Sequence, residues 1–365
     1  MQKSTATITW ITHRNFGTVL QAYALQRVLT SLGYENRVID DRKVLDKVPK
    51  KKFSPLRLLR RIDWLFPKSA SFRRADKEVL REYDDFKNRF IRIDDDWTDR
   101  EDLADKYDAF IAGSDQIWSP NVPFDDFYYL AFTDRTKISY APSMGVSEYP
   151  EDKVTVIKPL IEKFSSLSVR EPHGAKILHD QFGMNAEVVA DPTMLLTRNE
   201  WEELIPESSH EEHPYALCYF LTYNRKYIDQ VKEYCHRHSM KMKLFVVSPE
   251  LAGVADEDVY TGPIGFLKAI RGADIIFTDS FHGTIFSLIF EKNFHTFKRF
   301  SDDSPINQNS RVEHLMDSVG LGDRVIDTHA TDIEAAKTDY VKVREVLQSK
   351  RETSIRFLKD SLAEV

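Results

Sequence analysis

Short apolar runs recur along the whole chain, each ending in a polar loop and followed by apolar residues spaced three and four apart. This alternation predicts parallel strands sandwiched between helices. The clearest case covers residues 274–290. Ile275, Ile276 and Phe277 read as a buried strand, Ser280 as a helix N-cap, and Phe281, Ile285, Leu288 and Ile289 recur at helical spacing. His282 and Gly283 are therefore expected in the first turn of a helix, just past a strand's carboxyl end, where open α/β sheets hold ligands. Free amides and the positive dipole end make that turn an anion site. A plain cap with a histidine that only packs fits the same segment.

Residues 7–12 read as the first strand, 13–17 as a loop, and a helix is expected from Thr18, with Thr18 and Gln21 in the capping-box relation. Residues 37–40 give a second strand and complete a βαβ opening. Asn15 and Gly17 then fall in the turn where substrates sit, and Gly17 would let the backbone approach a ligand closely. Further strands at 108–112, 137–141 and 167–169 deliver three polar ends: Gly113 to Trp118, Pro142 to Gly145, and Arg170 with Glu171. The second half repeats the logic, with strands at 187–190, 215–221, 243–247 and 294–297 and helices at 226–238, 263–271 and 312–319. Residues 331–362 are polar and mostly helical, long enough to cross back onto the first half.

At 365 residues the chain exceeds the usual size of one core. The expected fold class is α/β, two Rossmann-like domains facing across a cleft. The N-terminal domain takes residues 1–175, the C-terminal domain 176–330, and a helical segment 331–365. Hydrophobic residues at 42% are enough for large interiors, and a net charge of −7 argues against a nucleic-acid-binding surface over the whole molecule. Residues 42–74 break that balance: Lys and Arg outnumber Asp46 and Asp63 by about ten charges, interleaved with Leu56, Leu59, Trp64 and Phe66. Either a solvated insertion or a segment drawn to an anionic membrane surface fits. Cys218 and Cys235 lack metal-ligand spacing, no leader is legible, and no run suits a membrane-spanning helix. These features together suggest a reduced, cytoplasmic setting, with any membrane contact peripheral.

The chain has no dinucleotide fingerprint, P-loop, His-Glu-x-x-His or nucleophile elbow. It does offer His282 at a helix start, with Arg170, Lys298, Arg299 and Arg311 on other loops. Their convergence would suit a small, multiply anionic ligand, and each taken singly also suits a surface ion pair.

Several stretches, in this order and spacing, resemble the polysaccharide pyruvyl transferase family from about residue 8 to 325: Asn15-Phe16-Gly17-Thr18 through Gln26, Phe110 through Gly113-Ser114-Asp115-Gln116-Ile117-Trp118, and Ile138 through Ser143. Ser168 through Glu171, Asp191-Pro192-Thr193, Asp279-Ser280-Phe281-His282-Gly283 and Asn309-Ser310-Arg311 complete the set. The resemblance implies a two-domain fold of the GT-B type. It implies phosphoenolpyruvate as donor and a pyruvate ketal across two sugar hydroxyls as product, in exopolysaccharide or capsular polysaccharide synthesis. His282 would be general acid or base, with Asp115 as an alternative base. Arg170, Ser280, Phe281, Gly283, Lys298 and Arg311 would hold the donor. Asn15, Gly17, Gln21, Gln116 and Trp118 would face the acceptor, which a lipid could carry. No metal or cofactor is required, since side chains can neutralise the leaving phosphate. The rival readings are a nucleotide-sugar-dependent glycosyltransferase on the same scaffold and a non-catalytic glycan binder in an assembly complex.

Overall fold

The structure, a computed structural model, describes residues 2–45, 67–206, 214–301, 304, 307–327, 333, 338–363 and 365. The first sheet comprises β1 (Ser4–Ile8), β2 (Glu35–Ile39), β3 (Ile93–Asp94), β4 (Ala109–Ala112) and β5 (Thr136–Ser139), in the order β3-β2-β1-β4-β5. A two-stranded ribbon follows, β6 (Ser168–Val169) beside β7 (Glu187–Val188). The second sheet comprises β8 (Tyr215–Tyr219), β9 (Lys241–Phe245), β10 (Glu257–Val259), β11 (Ile275–Thr278), β12 (Asn293–Phe297) and β13 (Val325–Ile326), ordered β10-β9-β8-β11-β12-β13. Pairing is parallel throughout. Both sheets place a central strand buried on both faces, which is why β4 and β11 read as unbroken apolar runs. The molecule thus has the expected two Rossmann-like halves facing each other.

The helices that frame the space between the sheets are α1 (Phe16–Ser31), α2 (Pro67–Phe90), α3 (Pro263–Gly272), α4 (Phe281–Ile289), α5 (Ser310–Ser318) and α6 (Tyr340–Leu362). As expected, α6 returns to the first half. Tyr34 donates to the Leu362 carbonyl at 2.9 Å, and Phe357 lies with its ring centroid 6.4 Å from that of Tyr140.

The first strand lies earlier in the chain than expected. Thr5 and Thr7 are fully buried, and Asn36 Nδ2 donates to both hydroxyls, at 2.9 and 3.1 Å. This polar seam in mid-sheet hides the strand from a hydrophobicity count. Helix α1 also starts two residues early, because Asn15 is the cap. Its Oδ1 accepts from Gly17 N at 2.9 Å and Thr18 N at 3.4 Å. The expected capping box does not form. Thr18 and Gln21 spend their side chains on the loop after β4 instead.

Phe16, the first residue of α1, is 4% exposed and inserts into the second half. It stacks on Phe266 of α3 with ring centroids 4.3 Å apart and meets Tyr219 edge-on at 5.5 Å. One hydrophobic cluster therefore runs through both halves. The basic, Trp-bearing stretch falls largely outside the described residues, which omit 46–66, and the membrane-surface expectation falls there with it. No described helix is long and apolar enough to cross a membrane.

Because Phe16 is buried in a cluster shared by both halves, Phe16→Ala is expected to cost about 3–5 kcal/mol of stability, read by urea denaturation. A loss below about 1 kcal/mol would show that the shared core does not hold the halves together.

Candidate active site

The carboxyl ends of both sheets open onto a cleft of about 370 Å³. Its first-domain wall carries Trp10, His13, Asn15, Thr18, Asp115 and Gln116, and its second-domain wall Asp279, Ser280, Phe281, His282, Lys298, Arg299 and Arg311. The starts of α1 and α4 face each other here. Asn15 caps the first, and Ser280 Oγ caps the second by accepting from Gly283 N at 3.3 Å. Between them Gly17 lies flat against the His282 ring, so closely that a Cβ on Gly17 would sit 1.9 Å from Nδ1. Only glycine permits the two helix ends to approach this far.

The other imidazole nitrogen, Nε2, is buried and lies 3.4 Å from Asp191 Oδ2, close enough for charge attraction but too misaligned for a hydrogen bond. Asp191 is itself held from all sides. Arg170 Nη1 donates to Oδ2 at 2.9 Å, and Thr193 donates to Oδ1 from its amide at 3.0 Å and its hydroxyl at 2.7 Å. Burial alone would raise this carboxyl. The adjoining His282 and Arg170 and the Thr193 hydrogen bond outweigh it and hold Asp191 well below the usual carboxylate range. Arg170 also pairs with Glu171 at 2.8 Å and stacks on the Phe281 ring at 4.5 Å. Arg311 approaches the same ring at 5.7 Å.

Burial, then repulsion from Arg170, pushes the Arg311 guanidinium down to about 10. The Gln116 amide oxygen, turned to face those donors, lies 2.6 Å from Arg311 Nη1 and 3.1 Å from Nη2. Lys298 reaches Glu313 at 2.9 Å. Asp115 sits at φ 69°, a left-handed conformation that costs a non-glycine residue energy. Thr18 Oγ1 donates to its Oδ2 at 2.5 Å, Gln116 N to its Oδ1 at 2.9 Å, and Ser143 N to its carbonyl at 2.7 Å. The carboxylate is thereby held at the cleft wall. Asp279 accepts from Leu221 N at 2.6 Å and Thr222 N at 3.2 Å, and burial pushes its carboxyl up to about 6.

The structure brings together Asn15, Asp115, Gln116, Ser280, Phe281, His282, Lys298 and Arg311 around one space. Other expected positions are corrected. Trp118 is fully buried, its indole N–H donating to the Tyr128 carbonyl at 3.1 Å and its ring stacked on Tyr129, so no sugar can reach it. Gln21 is also fully buried, donating to Thr9 Oγ1 at 3.0 Å and accepting from Ser114 N at 3.2 Å, which makes it a brace between loops. Gly17 serves the close approach of an imidazole, not of a ligand. Gly283 is buried where a Cβ would lie 2.3 Å from Thr278 Oγ1, and its amide is taken by Ser280. Arg170, with its side chain 2% exposed, stands behind the cleft wall and reaches it through Asp191 and Phe281, not as an open clamp. Sequence reasoning missed Trp10, His13 and Thr18 as cleft residues and Asp191 as the partner of His282. Asp191 stood in a matched stretch, but nothing in the sequence links it to a residue 91 positions away. Among the described residues, no group of three or more His, Cys, Asp or Glu side chains converges to hold a metal ion.

A family model described as polysaccharide pyruvyl transferase matches residues 15–299. No curated protein matches the chain. Among solved structures, the chain is similar to a putative UDP-N-acetylglucosamine 2-epimerase from Listeria monocytogenes, with 10% identity, 98% of this chain and 91% of that one covered, and a TM-score of 0.48. It is similar to the E. coli heptosyltransferase WaaC with ADP at 13% identity, 95% and 99% coverage and TM-score 0.40. The glycosyltransferase SnogD from Streptomyces nogalater stands at 12% identity, 99% and 100% coverage and TM-score 0.44.

The raised Asp279 carboxyl has a consequence for stability. In the unfolded chain it ionises near pH 4, and in the fold only near pH 6. Its contribution is therefore full below about pH 4 and is lost as pH rises through 6, by about 3 kcal/mol. The stability of the wild type relative to Asp279→Asn should fall by that order between pH 4 and 7 in urea titrations. A flat difference would mean the carboxyl ionises as it does in water.

Proposed function

The chain belongs to the polysaccharide pyruvyl transferase family, a family of transferases, and we propose that it moves the pyruvyl unit of phosphoenolpyruvate onto two hydroxyls of a sugar, forming a ketal and releasing phosphate. The observation that carries this reading is His282, backed by buried Asp191, at the start of α4 in a cleft walled by Lys298, Arg299 and Arg311. Phosphoenolpyruvate brings a phosphate and a carboxylate. The α4 amides with Ser280 suit one, and Arg311 with Lys298 suits the other.

The chemistry needs a proton delivered to the donor's methylene carbon, so that C2 becomes an oxocarbenium centre. One sugar hydroxyl adds there, phosphate leaves with the C2–O bond, and the second hydroxyl closes the ring. Of the two hydroxyl protons, one replaces that given to carbon and the other departs on phosphate. An imidazole can both give and take a proton, as such exchange requires. Asp191 engages the Nε2 edge of the ring, leaving Nδ1, on the Gly17 side, as the nitrogen to trade protons with substrate. Asp115, held by Thr18 at the opposite wall, would accept a proton from an attacking hydroxyl.

Incubation with phosphoenolpyruvate and a panel of free and lipid-linked glycosides should give phosphate release and the mass gain of one pyruvate ketal. Failure across the panel would sink the assignment. His282→Ala should lose about 10²–10⁴-fold in turnover with its fold intact, and near-wild-type turnover would remove His282 from the chemistry. Asp191→Asn should lower kcat while the phosphoenolpyruvate Kd stays within about twofold. If affinity fell instead of kcat, Asp191 would belong to donor binding.

A further inference from the structure

Pyruvyl transfer needs a sugar held on the first-domain wall, and the indole expected to hold it, Trp118, is inside the core. A different indole lines the cleft. Trp10, just past β1, packs part of its ring on the first-domain core and gives the rest to the cleft. Its ring centroid lies 4.8 Å from that of His13, which is exposed and lines the same wall. The ring is thus held along one side by the core and by the His13 ring, as a preformed platform should be.

The two walls differ in charge. Among the described lining residues the second-domain wall has Lys298, Arg299 and Arg311, whereas the wall around Trp10 has no lysine or arginine. Its polar groups are a carboxylate, Asp115, the amides Asn15 and Gln116, the Thr18 hydroxyl and the His13 imidazole. An aromatic face beside an acid and two amides matches a neutral polyol. The C–H face of a pyranose is apolar and stacks on an indole, while its hydroxyls donate to a carboxylate and exchange hydrogen bonds with amides.

We propose that Trp10, backed by His13, is the stacking platform for a neutral acceptor pyranose, and that Asp115 and Gln116 meet its hydroxyls. The proposal rests on the pyruvyl-transfer reading for the sugar's role, but the subsite can be tested apart from the chemistry.

The full chain labelled with 5-fluorotryptophan gives a Trp10 resonance, identified by its loss in Trp10→Phe. Methyl gluco-, galacto- and mannopyranosides should move it for at least one sugar while the buried Trp118 resonance stays put. In transfer assays Trp10→Leu should raise the acceptor KM about tenfold and leave the phosphoenolpyruvate Kd unchanged, with Trp10→Phe recovering most of the loss. If no pyranoside moves the Trp10 resonance, or if Trp10→Leu alters donor affinity alone, the platform is wrong. If pyranosides move Trp10 but phosphoenolpyruvate neither binds nor releases phosphate, the pyruvyl-transfer reading fails and the sugar subsite stands.

Discussion

The structure turns on two helix starts pressed against each other, α1 at Gly17 and α4 at His282. Each brings unsatisfied amides and the positive end of a dipole to the same place, an arrangement that repels unless negative charge is supplied. The protein supplies part of it from its own residues, with Asn15 and Ser280 as caps and Asp115 and Asp191 nearby. What remains is a cleft biased toward anions. Phe16 keeps the two starts together, because its ring belongs to the second domain's core while its backbone opens the first domain's helix.

Behind that contact lies a set of buried charges. Arg170, Glu171 and Asp191 have almost no exposed side-chain surface; Arg170 pairs with both carboxylates, and Thr193 holds the other oxygen of Asp191. Removing charges from water is expensive, and an ion pair of this kind adds little net stability over an apolar filling. Its effect is on geometry. It fixes a carboxylate beside Nε2 of His282 and a guanidinium behind Phe281, so the ring and the aromatic wall of the cleft share one support. The two walls then divide the work by composition, cations on one side and an aromatic, acidic and amide surface on the other.

Much of this was legible in the sequence. Unbroken apolar runs such as Ile275 to Phe277 marked strands buried on both faces, Ser280 marked the start of α4 with His282 in its first turn, and Asp115 fell in the polar stretch after a strand. These features are local: a cap, a period and a strand end are decided by residues within about one turn of each other. Where the reading slipped, a side chain's partner lay far along the chain. The first strand starts before residue 7 because buried Thr5 and Thr7 are bonded by Asn36 of the next strand, and Thr18 read as a cap although its hydroxyl goes to Asp115.

Sequence alone thus determined the α/β class, the two halves and the strand ends that line the cleft, since these follow from periodicity and local capping. Tertiary structure alone decided which of two tryptophans faces the cleft, that Arg170 stands behind it, and that Asp191 backs the imidazole. Burial and long-range pairing have no local signature, because the same residue types occur on either side of a wall and only packing says which side is wet.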